Sequence, residues 1–339
     1  MGKQSVTIVP YQIRVKKRKK DEYCLLDNIN GQQLFKMVSD LLGRFGNVKE
    51  DDATNPAPPL TQADIDEDSM VAFRVTSVAI TGSLTTTHTQ TIEAVFELGE
   101  YGAAGKLFHT QTMQETHKDK EVADLCPFYV RFDFHNGQDT GLMLIQQYGK
   151  RQARGTFCDK IRSYFRENEH NSGFMLKCNS FVTDDYIRSI GSIGVIKKIR
   201  LIRKAMPSEL SERLNGQFDE QNLNLETVFS AQPKQWIARK IGDIVNAWRG
   251  RIKAGNAVGI EEEDDGERLK IEIDLGRGKR TLNFGGKENQ LPFMAIDITE
   301  SVVLNDSTNH PEFQSVSKAA FEIVSELCPQ LGWPNVPSA

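Results

Sequence analysis

The sequence contains no long apolar run, and none of its segments approaches the roughly 20 residues that a membrane-spanning helix needs. Residues 1–20 also lack the apolar stretch and the small-residue cleavage site of a secretion signal. Gly2 follows the initiating methionine, but Val6 stands where a myristoylation signal has Ser or Thr. We therefore expect no membrane insertion, no secretion and a cytoplasmic location.

Cysteine and histidine patterns typical of metal sites are also missing. The 5 cysteines are odd in number and include no CxxC pair, which argues against a disulfide framework and a zinc site. None of the 6 histidines stands in HxH or HExxH spacing. We expect the cysteines to be small core residues in a reducing compartment, and we expect no metal and no cofactor.

Motifs of nucleotide-binding and nucleophilic enzymes are absent as well. The chain has no GxxxxGK[ST] loop, no GxGxxG between a strand and a helix, and no GxSxG elbow. The GSIG at residues 191–194 has no helix placed to receive a phosphate, so we interpret it as a turn. The sequence thus assigns no catalytic residue and makes a non-enzymatic protein the better hypothesis.

The composition is that of a globular protein, with 39% hydrophobic and 26% charged residues in 339. This length suits two domains, and a change in composition near residue 205 divides them into 1–205 and 206–339. Strands are predicted in hairpins rather than singly between long helices. This pattern predicts an α+β fold with mostly antiparallel sheets.

Local patterns predict most of the individual elements. The HNGQDT sequence at 135–140 is a hairpin signal between two apolar strands, and Thr183 is a candidate helix cap. Residues 101–126 are ambiguous, and a loop with one short helix is expected there. A helix is expected to follow the basic loop at 150–154, with Thr156 as its N-cap. Further amphipathic helices are predicted over 34–45, 233–250 and 311–328, and hairpin strands over 269–284.

The net charge of −4 conceals a strong local asymmetry. Residues 150–204 contain 13 Lys or Arg and 5 Asp or Glu, a balance of +8, which leaves −12 for the remainder. Helical spacing places two arginines of this region on one outward face, and strand alternation places a row of cations on one side of residues 195–204. A second basic tract, residues 16–20, is predicted at a hairpin tip. The candidate phosphate-binding residues are Lys150, Arg151, Arg154, Arg162, Arg166, Lys198, Arg200, Lys204, Lys17, Arg18 and Lys19.

Such a cationic surface is typical of proteins that neutralise the phosphates of double-stranded DNA without reading its sequence. Three other interpretations stay open. The cations can be solvated or paired with acidic segments, or can protect a sheet edge. Asp133 has the outline of a Mg²⁺ nuclease carboxylate, although Gln146 and Gln147 occupy the positions where a second acid is expected. Finally, the hairpin at 269–284 and the C-terminal helix can serve as docking surfaces of a scaffold subunit.

The order of elements over 127–204 resembles a known group of proteins. A hairpin, a glycine-punctuated basic loop, the TFCDKIRSYF helix, a strand, a short helix and a basic apolar strand follow one another. This order resembles the middle of RexA-type phage-exclusion proteins and, more loosely, antiphage proteins that associate with DNA, such as KwaB. The resemblance implies a cytoplasmic, non-enzymatic, homodimeric DNA-binding protein in antiviral defence, with a second defence protein as a possible partner. It carries no site residues across.

Overall fold

A computed structural model of the protein shows an α+β fold with mostly antiparallel strands, which confirms the predicted fold class. Within the described part of the chain, no helix is both long and apolar enough to cross a membrane. The residues described are 4–45, 65–66, 70–81, 89–149, 151, 153–168, 171–203, 225–229, 242–247, 268–275, 278–285 and 293–333.

The chain folds into two compact units, each assembled from separate stretches of sequence. Unit 1 comprises Met1–Tyr11, Asn179–Ser301 and Ser325–Asn335. Unit 2 comprises Gln12–Cys178, Val302–Val324 and Val336–Ala339. No single position in the sequence therefore separates the two units. Residue 205, the boundary predicted from the composition, lies outside the described residues.

Unit 2 is built on an antiparallel sheet in the strand order β1-β8-β7-β4-β3-β2, with β9 also paired to β1. The hairpin predicted around HNGQDT is confirmed as β7 and β8, and Gly137 in its turn has φ +73°. The strands are β1 (Val6–Lys17), β2 (Ile65–Asp66), β3 (Val71–Thr81), β4 (Thr89–Glu100), β7 (Cys126–His135), β8 (Thr140–Tyr148) and β9 (Phe174–Ser180).

Two helices, α1 (Leu34–Phe45) and α2 (Arg154–Glu167), bury apolar side chains against one face of this sheet, aliphatic ones from α1 and two phenylalanines from α2. The ring of Phe96 in β4 stacks on Phe157 of α2, with centroids 4.5 Å apart, and lies 5.4 Å from the ring of Phe73 in β3. Strand alternation explains the arrangement, because every second residue of β4 points to this side. Aromatic burial of this kind supplies a large part of a core's stabilisation.

The first part of a third helix, α4 (Phe313–Leu327), covers the opposite face of the sheet in unit 2. Phe313 makes an edge contact with Tyr129 of β7, with ring centroids 5.7 Å apart. Val316, Ala320 and Ile323 are buried at helical spacing. The helix predicted over 311–328 is thus confirmed. Its apolar residues are buried within the fold, so they are not an exposed surface for a partner.

Unit 1 contains the strand order β11-β10-β12-β13-β14 and the first residues of β1. Its helix α3 (Asp184–Ile193) is capped as predicted, since the hydroxyl of Thr183 accepts from the amide of Tyr186 at 3.1 Å. Of the helix predicted over 233–250, residues 242–247 are described and helical. The strands are β10 (Val195–Arg203), β11 (Leu225–Phe229), β12 (Arg268–Asp274), β13 (Lys279–Gly285) and β14 (Phe293–Asp297).

The loop with a short helix expected at 101–126 is instead a separate two-stranded sheet of β5 (Gly105–His109) and β6 (Gln114–Lys118). Its strands are almost fully exposed, which removes the apolar alternation by which a sequence reveals a strand. The expectation that the cysteines are core residues, by contrast, is confirmed, because all five are buried.

Candidate nucleic-acid interface

The predicted basic tip lies at the end of β1, where the chain reverses direction. The amide of Lys17 donates to the carbonyl of Glu22 at 3.0 Å, and the amide of Lys20 donates to the carbonyl of Lys17 at 3.4 Å. Lys19 between them has φ +61°. This left-handed conformation costs about 1–2 kcal/mol for a residue with a Cβ, and it is usually occupied by Gly or Asn. A lysine at this position is therefore poorly explained by backbone geometry alone.

The tip is held against the start of β9. Arg18 donates its amide hydrogen to the carbonyl of Gly173 at 2.8 Å and its Nε hydrogen to the carbonyl of Phe174 at 3.2 Å. Lys177 follows on the same strand, about 10 Å further along at the usual rise per residue. It is half-exposed between the buried Leu176 and Cys178. We call residues 16–20 together with Lys177 the tip cluster.

The charges of the tip cluster are only partly compensated. Lys16 pairs with Asp21 at 2.6 Å, and Lys17 pairs with Glu22 at 3.0 Å. The hydrogen bonds to these carboxylates raise the pKa of both lysines, so both stay charged. Six cations against these two acids leave a net charge of +4. Within the described residues, the cations of the cluster that form no ion pair are Arg18, Lys19, Lys20 and Lys177.

The basic loop and α2 are mostly engaged in local ion pairs and hydrogen bonds. Arg151 pairs with Asp124 at 2.8 Å, and Arg162 pairs with Asp159 at 3.0 Å. Arg166 donates to the hydroxyl of Ser163 at 3.1 Å. Arg154 is half-buried, and Lys150 lies outside the described residues. These arginines still reach solvent, but two of the four face a carboxylate rather than an open surface.

The start of α2 differs from the prediction. The helix begins at Arg154, with Ala153 as N-cap and no side-chain cap, so Thr156 lies inside its first turn. Ala153 is completely buried, and its carbonyl accepts from the amide of Phe157 at 3.0 Å. Burial of the loop end therefore sets the helix start, and the capping propensity of Thr156 does not.

The cations predicted on the strand at 195–204 belong to unit 1. Arg200 bridges Glu226 at 3.2 Å and Glu272 at 3.0 Å on the two neighbouring strands. Lys198 is half-exposed beside a register irregularity of β10, and Lys204 lies outside the described residues. Ile199 is buried, as expected for the apolar face of this strand. Arg200 therefore serves a cross-strand ion-pair network.

The carboxylate considered for a nuclease, Asp133, lies inside unit 2 and is fully hydrogen-bonded. Arg131 donates to both of its oxygens at 2.8 Å, and the hydroxyl of Thr91 donates at 2.7 Å. Asp133 has no exposed surface. No group of side chains able to hold a metal ion occurs among the described residues. The nuclease interpretation therefore lacks a metal-binding carboxylate at Asp133.

Glu93 completes this buried network on the neighbouring strand β4. It accepts from Tyr129, from Ser317 at 2.7 Å and from Arg131 at 3.4 Å. Burial disfavours the charged guanidinium, but the adjacent carboxylates outweigh it and hold the pKa of Arg131 above its usual value. This network joins β4, β7 and α4.

Comparison of the chain with protein families, curated proteins and solved structures gives no match.

Of the predicted cations, Lys17, Arg18 and Lys19 are brought together with three that the list of candidates did not include, Lys16, Lys20 and Lys177. The run of basic residues at 16–20 is a signal that could have included Lys20. Lys177 could not be found in this way, because it joins the cluster only through the pairing of β9 with β1.

Proposed function

We propose that the protein is a non-enzymatic, sequence-independent DNA-binding protein that grips the phosphate backbone of a duplex through the tip cluster. The observation that carries the proposal is the fixation of Arg18 by two hydrogen bonds to Gly173 and Phe174. These bonds hold the turn and its unpaired cations against the start of β9, the strand that also carries Lys177. The cations of the tip cluster and the two acids that follow it have a net charge of +4.

Cations of this kind act by releasing the counterions condensed on DNA. Each phosphate neutralised by a Lys or Arg contributes about −0.9 to the slope of log affinity against log salt concentration. Lysine side chains are flexible point charges, so they follow the backbone without reading base edges. This chemistry predicts strong dependence on salt and little on sequence.

The proposal extends to the setting that the RexA-type resemblance implies, namely a cytoplasmic protein of antiviral defence that acts as a homodimer. Two tip clusters in a dimer would engage one duplex at two places, which raises the apparent affinity through effective concentration. A second defence protein is compatible with the proposal but does not carry it.

The test compares two triple variants that remove the same charge. In one, Lys17, Lys19 and Lys20 become Gln; in the other, Arg151, Arg162 and Arg166 become Gln. Binding to a labelled duplex of about 20 base pairs is followed by fluorescence anisotropy from about 50 to 200 mM salt. The tip variant should lose about tenfold or more in affinity and about two to three units of salt slope, with the second variant much less affected.

Two outcomes contradict the proposal. Absence of any wild-type affinity at about 50 mM salt removes DNA binding altogether, because electrostatic binding is strongest there. Equal losses in both triple variants show that the phosphate contacts do not depend on the tip cluster.

A scaffold role is the second candidate, and the β5–β6 hairpin favours it. Leu107, Phe108 and Met113 are each more than half exposed there, and an isolated two-stranded hairpin is only marginally stable in water. The C-terminal helix α4, which the sequence made a candidate docking surface, has its apolar residues buried in the fold and does not offer them to a partner. Co-purification of a stoichiometric partner with wild type, lost on changing Leu107 and Phe108 to Ser, would support this role over DNA binding.

A further inference from the structure

A polar groove of about 780 Å³ opens beside the loop that precedes α1. This volume falls within the range of about 300–1,000 Å³ typical of sites for small molecules. Its walls come from four stretches of unit 2: the loop at 25–33, the first turns of α1, the β7–β8 turn and the end of α2. None of the groove's residues belongs to the tip cluster, so the two proposed sites share no residue.

The loop wall of the groove is fixed by a tight turn. Asn30 and Gly31 both have positive φ, at +52° and +82°, and Ile29 and Gln32 exchange backbone hydrogen bonds around them. This is the two-residue Asn-Gly turn that suits a hairpin. The side-chain oxygen of Asn28 accepts from the amide of Gly31 at 3.0 Å and so stabilises the turn.

Contacts between distant segments fix the other walls. Asn168 at the end of α2 donates to the side-chain oxygen of Gln32 at 3.1 Å. Asp27 accepts from the amide of Gly137 in the β7–β8 turn at 2.7 Å. These bonds join residues more than 100 positions apart in sequence, so the groove is formed before any ligand arrives. A preformed site does not have to order its own side chains on binding.

The functional groups of the groove are mostly neutral amides. Five Asn or Gln side chains line it, together with two carboxylates and one ammonium group, which leaves a single net negative charge. An amide offers two donors and an acceptor, and a carboxylate offers acceptors only. Hydroxyl groups are both donors and acceptors, so they complement such a lining. Phosphate is an anion and would meet two carboxylates against one ammonium group, so it suits this lining less well.

The apolar surface of the groove is small and includes the ring of Tyr164, over which the guanidinium of Arg44 lies 5.8 Å from the ring centroid. Tyr164 of α2 lies near Asp40 of α1, and burial and then this carboxylate raise the pKa of the phenol, which stays neutral. Leu25 at the rim is 49% exposed. Asn171, behind the lining residue Met37, has a buried oxygen without a hydrogen bond in the described part of the chain.

We propose that this groove binds a neutral ligand with neighbouring hydroxyl groups on a ring, the feature that saccharides and ribonucleosides share. The amides other than Asn168, together with Asp40, would hold the hydroxyl groups, and Tyr164 and Leu25 would contact the carbon face of the ring. Asp27 and Asn168 already hold the walls together and act as positioning residues.

The experiment titrates the full-length protein with three probes, maltotriose, adenosine and 2′-deoxyadenosine, followed by ligand-observed NMR and by calorimetry. A saccharide site binds maltotriose alone. A ribonucleoside site binds adenosine, and it binds 2′-deoxyadenosine about tenfold more weakly, the loss expected for one hydroxyl held by hydrogen bonds.

The double variant Gln33→Ala with Asp40→Ala removes two polar side chains from the groove and should weaken binding of the preferred probe by about tenfold or more. Neither side chain is buried, so the variant should still fold. The control is Glu312→Ala, which removes an exposed carboxylate outside the groove and should leave binding unchanged. Thermal unfolding of each variant confirms that it is folded.

The proposal is overturned if no probe binds at about 10 mM, or if the groove variant binds as tightly as wild type. Preferential binding of inorganic phosphate over all three probes also overturns it, because the proposed ligand is neutral. Loss of DNA binding in the tip variants has no bearing on these outcomes.

Discussion

Arg131 and Asp133 stand two residues apart on the same face of β7 and form a two-pronged ion pair, with Nε and Nη2 of the arginine each 2.8 Å from a carboxylate oxygen. The side chains are 7% and 1% exposed. Two charges buried this deeply are tolerated only when each has a partner with good geometry. Their pairing explains both the stability of this face and the lack of a metal site at Asp133.

Replacing Arg131 by Met should strongly destabilise unit 2. The substitution leaves the buried Asp133 and the partly buried Glu93 without their cation, a loss of about 3–5 kcal/mol for a broken buried pair. Urea denaturation followed by circular dichroism measures it. The matched control is Arg162→Met, whose exposed pair with Asp159 should contribute less than about 1 kcal/mol. Similar midpoints for both variants would show that the buried network is not stabilising.

Lys19→Asn should separate backbone strain from charge in the tip cluster. Asn adopts the left-handed conformation more readily than Lys, so the variant should be at least as stable as wild type. It should nevertheless bind duplex DNA more weakly, with a salt slope lower by about one unit. Lys20→Asn removes the same charge without relieving strain, and it should lose affinity without gaining stability. Unchanged DNA affinity in both variants would remove these lysines from the interface.

His310 predicts a pH dependence of folding stability. Its ring lies 5.3 Å from that of Tyr148, and burial, followed by the charge of Arg151, lowers its pKa against the opposing effect of Asp124 and Glu97. As the pH falls, His310 is therefore protonated in the unfolded chain before it is protonated in the folded protein. Stability is lost as the pH falls below the ordinary value of 6.5, and the loss stops once the lowered pKa is passed.

His310→Gln isolates this contribution, because glutamine does not titrate. The difference in unfolding free energy between wild type and variant should be constant above about pH 7.5. Below about pH 6.5 the wild type should lose stability relative to the variant. Denaturant titrations at several pH values give both curves. Parallel curves over the whole range would contradict the prediction.

Gly99 and Gly155 should respond in opposite ways to substitution by alanine. A Cβ at Gly99 of β4 would lie 2.5 Å from the backbone oxygen of Asp124, so Gly99→Ala should cost about 1–3 kcal/mol. A Cβ at Gly155, in the first turn of α2, would meet open space, and Gly155→Ala should stabilise the protein by up to about 1 kcal/mol. Equal unfolding midpoints would show that β4 can move away from Asp124.

Local sequence signals predicted the elements that they directly encode. The β7–β8 hairpin follows from Asn-Gly between apolar strands, and α3 follows from Thr183 as its cap. Such signals failed where burial or exposure overrides propensity. The start of α2 is set by the buried Ala153, and the exposed β5–β6 hairpin has no apolar alternation to reveal it.

The candidate sites were predictable to different degrees. The basic tract at 16–20 is visible in the sequence, but Lys177 joins it only through the pairing of β9 with β1. The arginines of α2 face outward as their spacing predicts, yet Arg162 meets Asp159 one turn away. The polar groove has no sequence signal, because its walls come from segments far apart along the chain.

Fold class, the alternation of most strands, the faces of the helices and the position of the basic tract all follow from the amino-acid sequence alone, because they depend on residues within a few positions of one another. Only the folded chain reveals which cations are paired, that Asp133 is bound to Arg131, and where the groove lies. Charge pairing and concave sites depend on strand register and on contacts between distant segments, which local periodicity does not specify.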